Sequence, residues 1–146
     1  MGKDDNLARQ YIRKANAYLP DIEILAKHQD KVSTGMTMLL SHAFECTLKA
    51  YLFHSGMTKR QLQNTEGLNG ESVNHNLEWL WREAVERGLQ VDMQPPDWCA
   101  RLNELHNRPY YLRYPSEDTM LIVYPDGGTA MSELKTIIDE VDRYIH

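Results

Sequence analysis

The 146-residue sequence predicts an all-α fold: an antiparallel up-and-down bundle of four main helices with short extra helices. In the long segments of the chain, apolar residues recur every three or four positions, as on one face of an α-helix. No segment shows the alternation of strands and helices that builds a parallel sheet, and no internal repeat is present. The length is typical of a single domain, here residues 1–146, with one hydrophobic core.

The first helix is predicted over residues 7–19, where apolar side chains follow a 3-4-3-4 spacing. Proline has no backbone N–H and its ring clashes with the preceding turn, so Pro20 is expected to kink or end this helix near Leu19. A shorter helical piece over residues 21–28 should follow, before a polar break at residues 29–31.

The second long helix, residues 33–55, is apolar around most of its circumference, which is typical of a helix at the centre of a bundle. Gly56 is expected to end it in the left-handed conformation that glycine adopts readily. Thr58 and Gln61 form a capping-box pattern, which predicts a short helix over residues 59–63.

Three further helices complete the predicted bundle. The first, over residues 77–87, is expected to be capped by Asn74 or Asn76. The next runs over residues 98–107, and the last extends from its cap at Thr129 to residue 145 with a continuous apolar stripe.

Composition and charge exclude several classes of protein. With 42% apolar and 25% charged residues, the chain is neither a disordered nor a collagen-like sequence. A net charge of −5 argues against a protein that coats nucleic acid or binds membranes through its overall field, although a local basic patch stays possible. Without an apolar leader or a run of about 18 apolar residues, we expect no membrane association and a cytoplasmic location. Cys46 and Cys99 are predicted to be free thiols.

Three motifs stand in an order that a known family shares. The segment His42–Gly56, HAFECTLKAYLFHSG, carries a Glu and a Lys four positions apart on a long apolar helix that ends in Gly. Asn74–Leu77, which reads NHNL, then opens the next helix, and an Arg-Tyr-Pro follows at residues 113–115. This arrangement resembles that of HEPN domains over about residues 7–144, with the specific part of the likeness over residues 42–89.

The resemblance implies a small helical bundle that is commonly dimeric. Many HEPN proteins are metal-independent ribonucleases of toxin–antitoxin or defence systems, and others are non-catalytic modules that bind nucleotide or RNA. We expect a non-catalytic, dimeric nucleotide- or RNA-binding module, with a separate partner protein as a further option. The alternatives are a metal-independent endoribonuclease and a purely structural interaction protein. The apolar surface of the central helix and of the Trp79/Trp81 helix also predicts a homodimer.

Arg101 and His106 match the Arg–four–His spacing that the resemblance associates with catalysis. A histidine can take the proton of a ribose 2′-OH, an arginine can hold the phosphate, and Asn103 can orient either group. However, Leu102 stands where the ribonucleases usually have a polar residue, and Arg101 and His106 lie about 140° apart on an ideal helix. The alternative is a surface arginine and a helix-end histidine that interacts with the helix dipole.

Other candidate ligand-binding residues lie on the central helix. His42, Glu45 and Lys49 form one polar stripe at positions i, i+3 and i+7. If the bundle covers this stripe, unpaired charges would be costly to bury, which favours a functional or dimer-organising role. A solvated helix face is the alternative.

The remaining candidates are His75, Arg108, Arg113 and Tyr114. His75 precedes a helix N-terminus, where free N–H groups can hold a phosphate; otherwise it packs in the turn. The segment around Arg108–Tyr114 combines cations with aromatic rings, as in sites that stack bases, or forms an aromatic cover over the bundle end. No Cys, His and carboxylate set has metal-ligand spacing, so we expect neither a metal nor a cofactor.

Overall fold

The computed structural model describes residues 5–28, 34–106 and 127–145, and their regular elements are all helices. The all-α class predicted from the sequence is therefore confirmed for this part of the chain. In chain order the helices are α1 (Asp5–His28), α2 (Thr34–His54), α3 (Lys59–Asn64), α4 (Leu77–Glu86), α5 (Asp97–His106) and α6 (Gly127–Ile145).

Helix α2 lies at the centre of the bundle and packs against α1, α4, α5 and α6. Its buried apolar side chains extend around the helix, as its sequence predicts. Phe44 shows how the elements meet, because its ring centroid lies 5.9 Å from that of Trp81 on α4 and 5.0 Å from that of Trp98 on α5. These aromatic contacts fix α4 and α5 against the central helix.

Pro20 does not end the first helix, so of the two outcomes expected from the sequence, a kink or an end, the end is wrong, and residues 21–28 are not a separate helical piece. Helix α1 continues through it to His28. Pro20 removes one backbone hydrogen bond, to the carbonyl of Asn16, but both residues are exposed, so water can replace that bond. Leu19 and Ile22 are buried on the opposite face, and their packing favours an uninterrupted helix.

The helix ends follow local capping rules in most places. Thr58 and Gln61 form the predicted capping box at the start of α3. Gly56 and Gly88, just after α2 and α4, have positive φ angles of 112° and 107°, as expected of glycines that end helices. Helix α6 begins at Gly127, two residues before the cap predicted at Thr129.

Burial raises the pKa of the Cys46 thiol to about 11 and that of the Cys99 thiol to about 12, with neighbouring carboxylates adding to both shifts. The two cysteines are free, as predicted, and stay protonated at neutral pH. In the described part of the chain, no helix combines the length and the apolar character needed to cross a membrane. The predictions for Arg108, Arg113 and Tyr114 lie outside the described residues.

Candidate functional site

Glu45, on the central helix, gathers three basic side chains around one carboxylate. Its Oε1 atom lies 2.8 Å from Nδ1 of His75 and 2.8 Å from Nε2 of His106. Its Oε2 atom accepts a hydrogen bond from Lys49 Nζ at 3.2 Å. We refer to Glu45, Lys49, His75 and His106 as the Glu45 cluster. It unites residues that the sequence analysis had placed in three separate candidate sites.

The four members of the cluster come from three places in the fold. Lys49 follows Glu45 by one helical turn on α2, which brings the two side chains together. His75 belongs to the turn that precedes α4, and His106 is the last residue of α5. Because α4 and α5 both pack on α2, their ends bring the two imidazoles to the same carboxylate.

Asn103 fixes the relative position of α4 and α5 beside the cluster. Its Oδ1 atom accepts a hydrogen bond from the Leu77 backbone N–H at 2.7 Å, and its Nδ2 donates to Asn76 Oδ1 at 2.9 Å. Asn76 in turn caps α4 by accepting from the Trp79 N–H at 3.1 Å. Side chains thus already accept hydrogen bonds from two of the first N–H groups of α4, the groups that a phosphate could otherwise use.

The Glu45 carboxylate is held in its charged form. Burial by itself would raise its pKa, but the hydrogen bonds from His106 and His75 and the charge of Lys49 outweigh that effect and hold the pKa well below its usual range. An ionised carboxylate only accepts hydrogen bonds, so each ring must donate the proton that faces it. Neutral His75 therefore carries its proton on Nδ1, and neutral His106 carries its proton on Nε2.

The cluster is closed on one side and open on the other. The side chains of Glu45, Lys49 and His106 are only 9%, 5% and 5% exposed, whereas that of His75 is 49% exposed. The ring of His42 contacts the buried His106 ring edge to face at a centroid distance of 5.1 Å. His75 is therefore the member of the cluster that a ligand in solution can reach, and Glu45 leaves its Nε2 atom unused.

The other sequence-predicted residues divide between this site and the surface. Asn103 and His106 lie at the cluster, whereas Arg101 is an exposed residue on α5. His106 points its Nε2 atom at Glu45, and its side chain is almost completely buried. The structure thus does not bring Arg101 to the carboxylate that holds His106.

Comparison of the chain with protein-family models, with curated proteins and with solved structures finds no match.

Two kinds of chemistry suit this geometry. A solvent-facing imidazole whose other nitrogen is held by a buried carboxylate can bind an anionic group or transfer a proton. Lys49 and the two rings also surround a single negative charge with up to three positive ones. The three basic side chains outnumber the single carboxylate, an arrangement that can hold a phosphate group.

Proposed function

We propose that this chain is a HEPN-like, cytoplasmic domain that binds nucleotide or RNA as a non-catalytic module of a homodimer. The observation that carries the proposal is the orientation of His75: Glu45 holds its Nδ1 atom at 2.8 Å while about half of the side chain faces solvent. The all-α fold supports the proposal, and the antiparallel order of its four main helices is part of it.

The sequence motifs and the cluster support the same interpretation. Glu45 and Lys49 are the residues of the central-helix motif, and His75 belongs to the NHNL motif that opens α4. A pattern that resembles HEPN domains thus coincides with a hydrogen-bonded site. In this site Glu45, Lys49 and His106 position a ring, and His75 in its protonated form donates a hydrogen bond from Nε2 to a phosphate oxygen.

The proposal predicts that RNA binding depends on His75. Labelled single-stranded RNA, titrated with the protein in EDTA and followed by fluorescence anisotropy, should bind more weakly to His75→Ala by about tenfold or more, because a hydrogen bond to a charged group is lost. His54→Ala is the matched control, since His54 also pairs with a carboxylate, that of Asp5, but far from the cluster along α2. This control should bind like the wild type.

An unlabelled mononucleotide, added as a competitor, separates a nucleotide site from a surface that needs a longer strand. Light scattering on the same samples should give the mass of a dimer. A wild type that does not bind RNA or nucleotide, or a His75→Ala variant that binds equally well, would contradict the proposal. A monomer mass at micromolar concentration would remove its dimeric part.

A second candidate is a metal-independent endoribonuclease, and one observation favours it. A carboxylate that orients an imidazole through one nitrogen and leaves the other free is the arrangement of many catalytic acid–base pairs. His75 fits this role better than His106, because His106 is buried. Denaturing gels of the same RNA samples distinguish the two functions. Cleavage in EDTA that His75→Ala abolishes indicates the enzyme, and intact RNA indicates the binding module.

A further inference from the structure

Three potential metal ligands converge in the Glu45 cluster. Oε1 of Glu45, Nδ1 of His75 and Nε2 of His106 all lie within 4.8 Å of one another. They come from α2, from the turn before α4 and from the end of α5, so their positions in the sequence give no metal-ligand spacing. For that reason the sequence alone predicts no metal site.

We infer that Glu45, His75 and His106 form a binding site for a divalent transition-metal ion, with Zn²⁺ as the best-fitting ion. Two imidazole nitrogens and one carboxylate oxygen are the three protein ligands of one well-known class of open zinc site. The same donors are too rich in nitrogen for Mg²⁺ or Ca²⁺, which prefer oxygen ligands. This inference goes beyond the proposed function and does not rest on it.

Two of the three ligand–ligand distances, both from Oε1 of Glu45, are close to those that Zn²⁺ requires, and the two imidazole nitrogens, which lie within 4.8 Å of each other, must reach the same separation. With bonds of about 2.0–2.1 Å, the ligand atoms of a tetrahedral zinc site lie about 3.3 Å apart. Both imidazole nitrogens are now 2.8 Å from Oε1, so a metal needs these two separations to open by about half an ångström. Because a metal binds the lone pair, the ring protons that face Glu45 must move, by exchange with water, to Nε2 of His75 and to Nδ1 of His106.

The surroundings hold the three ligands in place. Lys49 binds Oε2 of Glu45 and so leaves Oε1 for the metal, while His42 packs against the His106 ring. His75 is half exposed, so the site opens to solvent on its side and water can supply a fourth ligand. Lys49 also places a positive charge beside the ion, which weakens binding.

Calorimetric titration of the EDTA-treated, nucleic-acid-free protein tests the inference. We expect one Zn²⁺ per chain and no comparable binding of Mg²⁺. His75→Ala should weaken Zn²⁺ binding by about tenfold or more, because loss of a direct ligand costs at least as much as loss of an outer-shell partner. Since His75 is half exposed, this variant should fold, which circular dichroism checks. His54→Ala is the control and should bind Zn²⁺ like the wild type.

Lys49→Met gives a second, opposite test. Removal of its charge should tighten Zn²⁺ binding severalfold or more, an effect that a metal bound elsewhere on the surface would not show. The visible absorption of bound Co²⁺, measured for the wild type and for His75→Ala, adds a spectroscopic readout of imidazole ligation. A wild type without a Zn²⁺ site, or a His75→Ala variant with unchanged affinity, would overturn the inference. Because the RNA titrations are done in EDTA, their outcome is independent of this one.

Discussion

Glu45→Gln is expected to lower the free energy of unfolding by about 3–5 kcal/mol, the usual cost of removing one partner from a buried ion pair. Glutamine keeps the size of the side chain but not its charge. Lys49, whose side chain is 5% exposed, would then be a buried cation without its counter-ion. Urea unfolding at neutral pH in EDTA, followed by circular dichroism, measures the change.

Glu83→Gln is the matched control for this variant. Glu83 pairs with Arg87 in the same i, i+4 relation on the surface of α4, so its loss should cost no more than about 0.5 kcal/mol. Addition of Lys49→Met to Glu45→Gln should recover part of the lost stability, because the unpaired charge is then removed as well. Equal stability of wild type and Glu45→Gln would mean that the buried carboxylate does not organise the cluster.

The lowered pKa of the Glu45 carboxyl determines the direction in which folding stability changes with pH. Its pKa is lower in the folded chain than the ordinary value of 4.5, so its contribution to stability is present above that pH and is lost as the pH falls below it. The Glu45→Gln variant lacks this contribution at every pH, because glutamine does not ionise. The difference in stability between wild type and variant should therefore narrow below pH 4.5.

Asn103→Ala is expected to destabilise the fold by about 2–3 kcal/mol. The substitution leaves the buried Leu77 N–H without its acceptor and removes the hydrogen bond to Asn76, so α4 and α5 lose their direct polar link. A residue that only oriented substrate would change activity and leave stability unaltered. Thermal unfolding distinguishes these two roles of Asn103.

Asn16→Ala is the control for this second substitution. Among the described residues, the Asn16 side chain bonds only to the Ile12 carbonyl of its own helix. Alanine is the better helix former, so stability should stay the same or rise slightly. An Asn103→Ala variant as stable as Asn16→Ala would contradict the structural role that we assign to Asn103.

Local rules predicted much of the fold correctly. The apolar circumference of α2 indicated its central place, and Thr58 with Gln61 marked the start of α3, because both signals lie within a few residues. Pro20 shows the limit of such rules, since burial of Leu19 and Ile22 outweighs one lost hydrogen bond on the exposed face. Packing of α1 against the bundle determines whether the helix continues through Pro20. The residues next to Pro20 in the sequence do not reveal the free energy of that packing.

The candidate site was only partly predictable. The sequence singled out all four members of the Glu45 cluster but assigned them to three sites, because His75 and His106 lie 30 and 61 positions from Glu45. The signal that could have joined them was a carboxylate on a helix otherwise suited to complete burial, which needs partners from elsewhere in the chain. Spacing alone could not identify those partners, since they depend on how α4 and α5 pack on α2.

The tautomeric state of His75 tests the central claim most directly, because the whole site depends on the hydrogen bond that His75 Nδ1 donates to Glu45. Long-range ¹⁵N–¹H correlation spectra of the metal-free protein at about pH 8, where imidazoles are usually neutral, report which ring nitrogen carries the proton. Our account predicts a proton on Nδ1 in His75 and on Nε2 in His106, and loss of the fixed His75 tautomer in Glu45→Gln. A His75 ring that carries its proton on Nε2 in the wild type would contradict it.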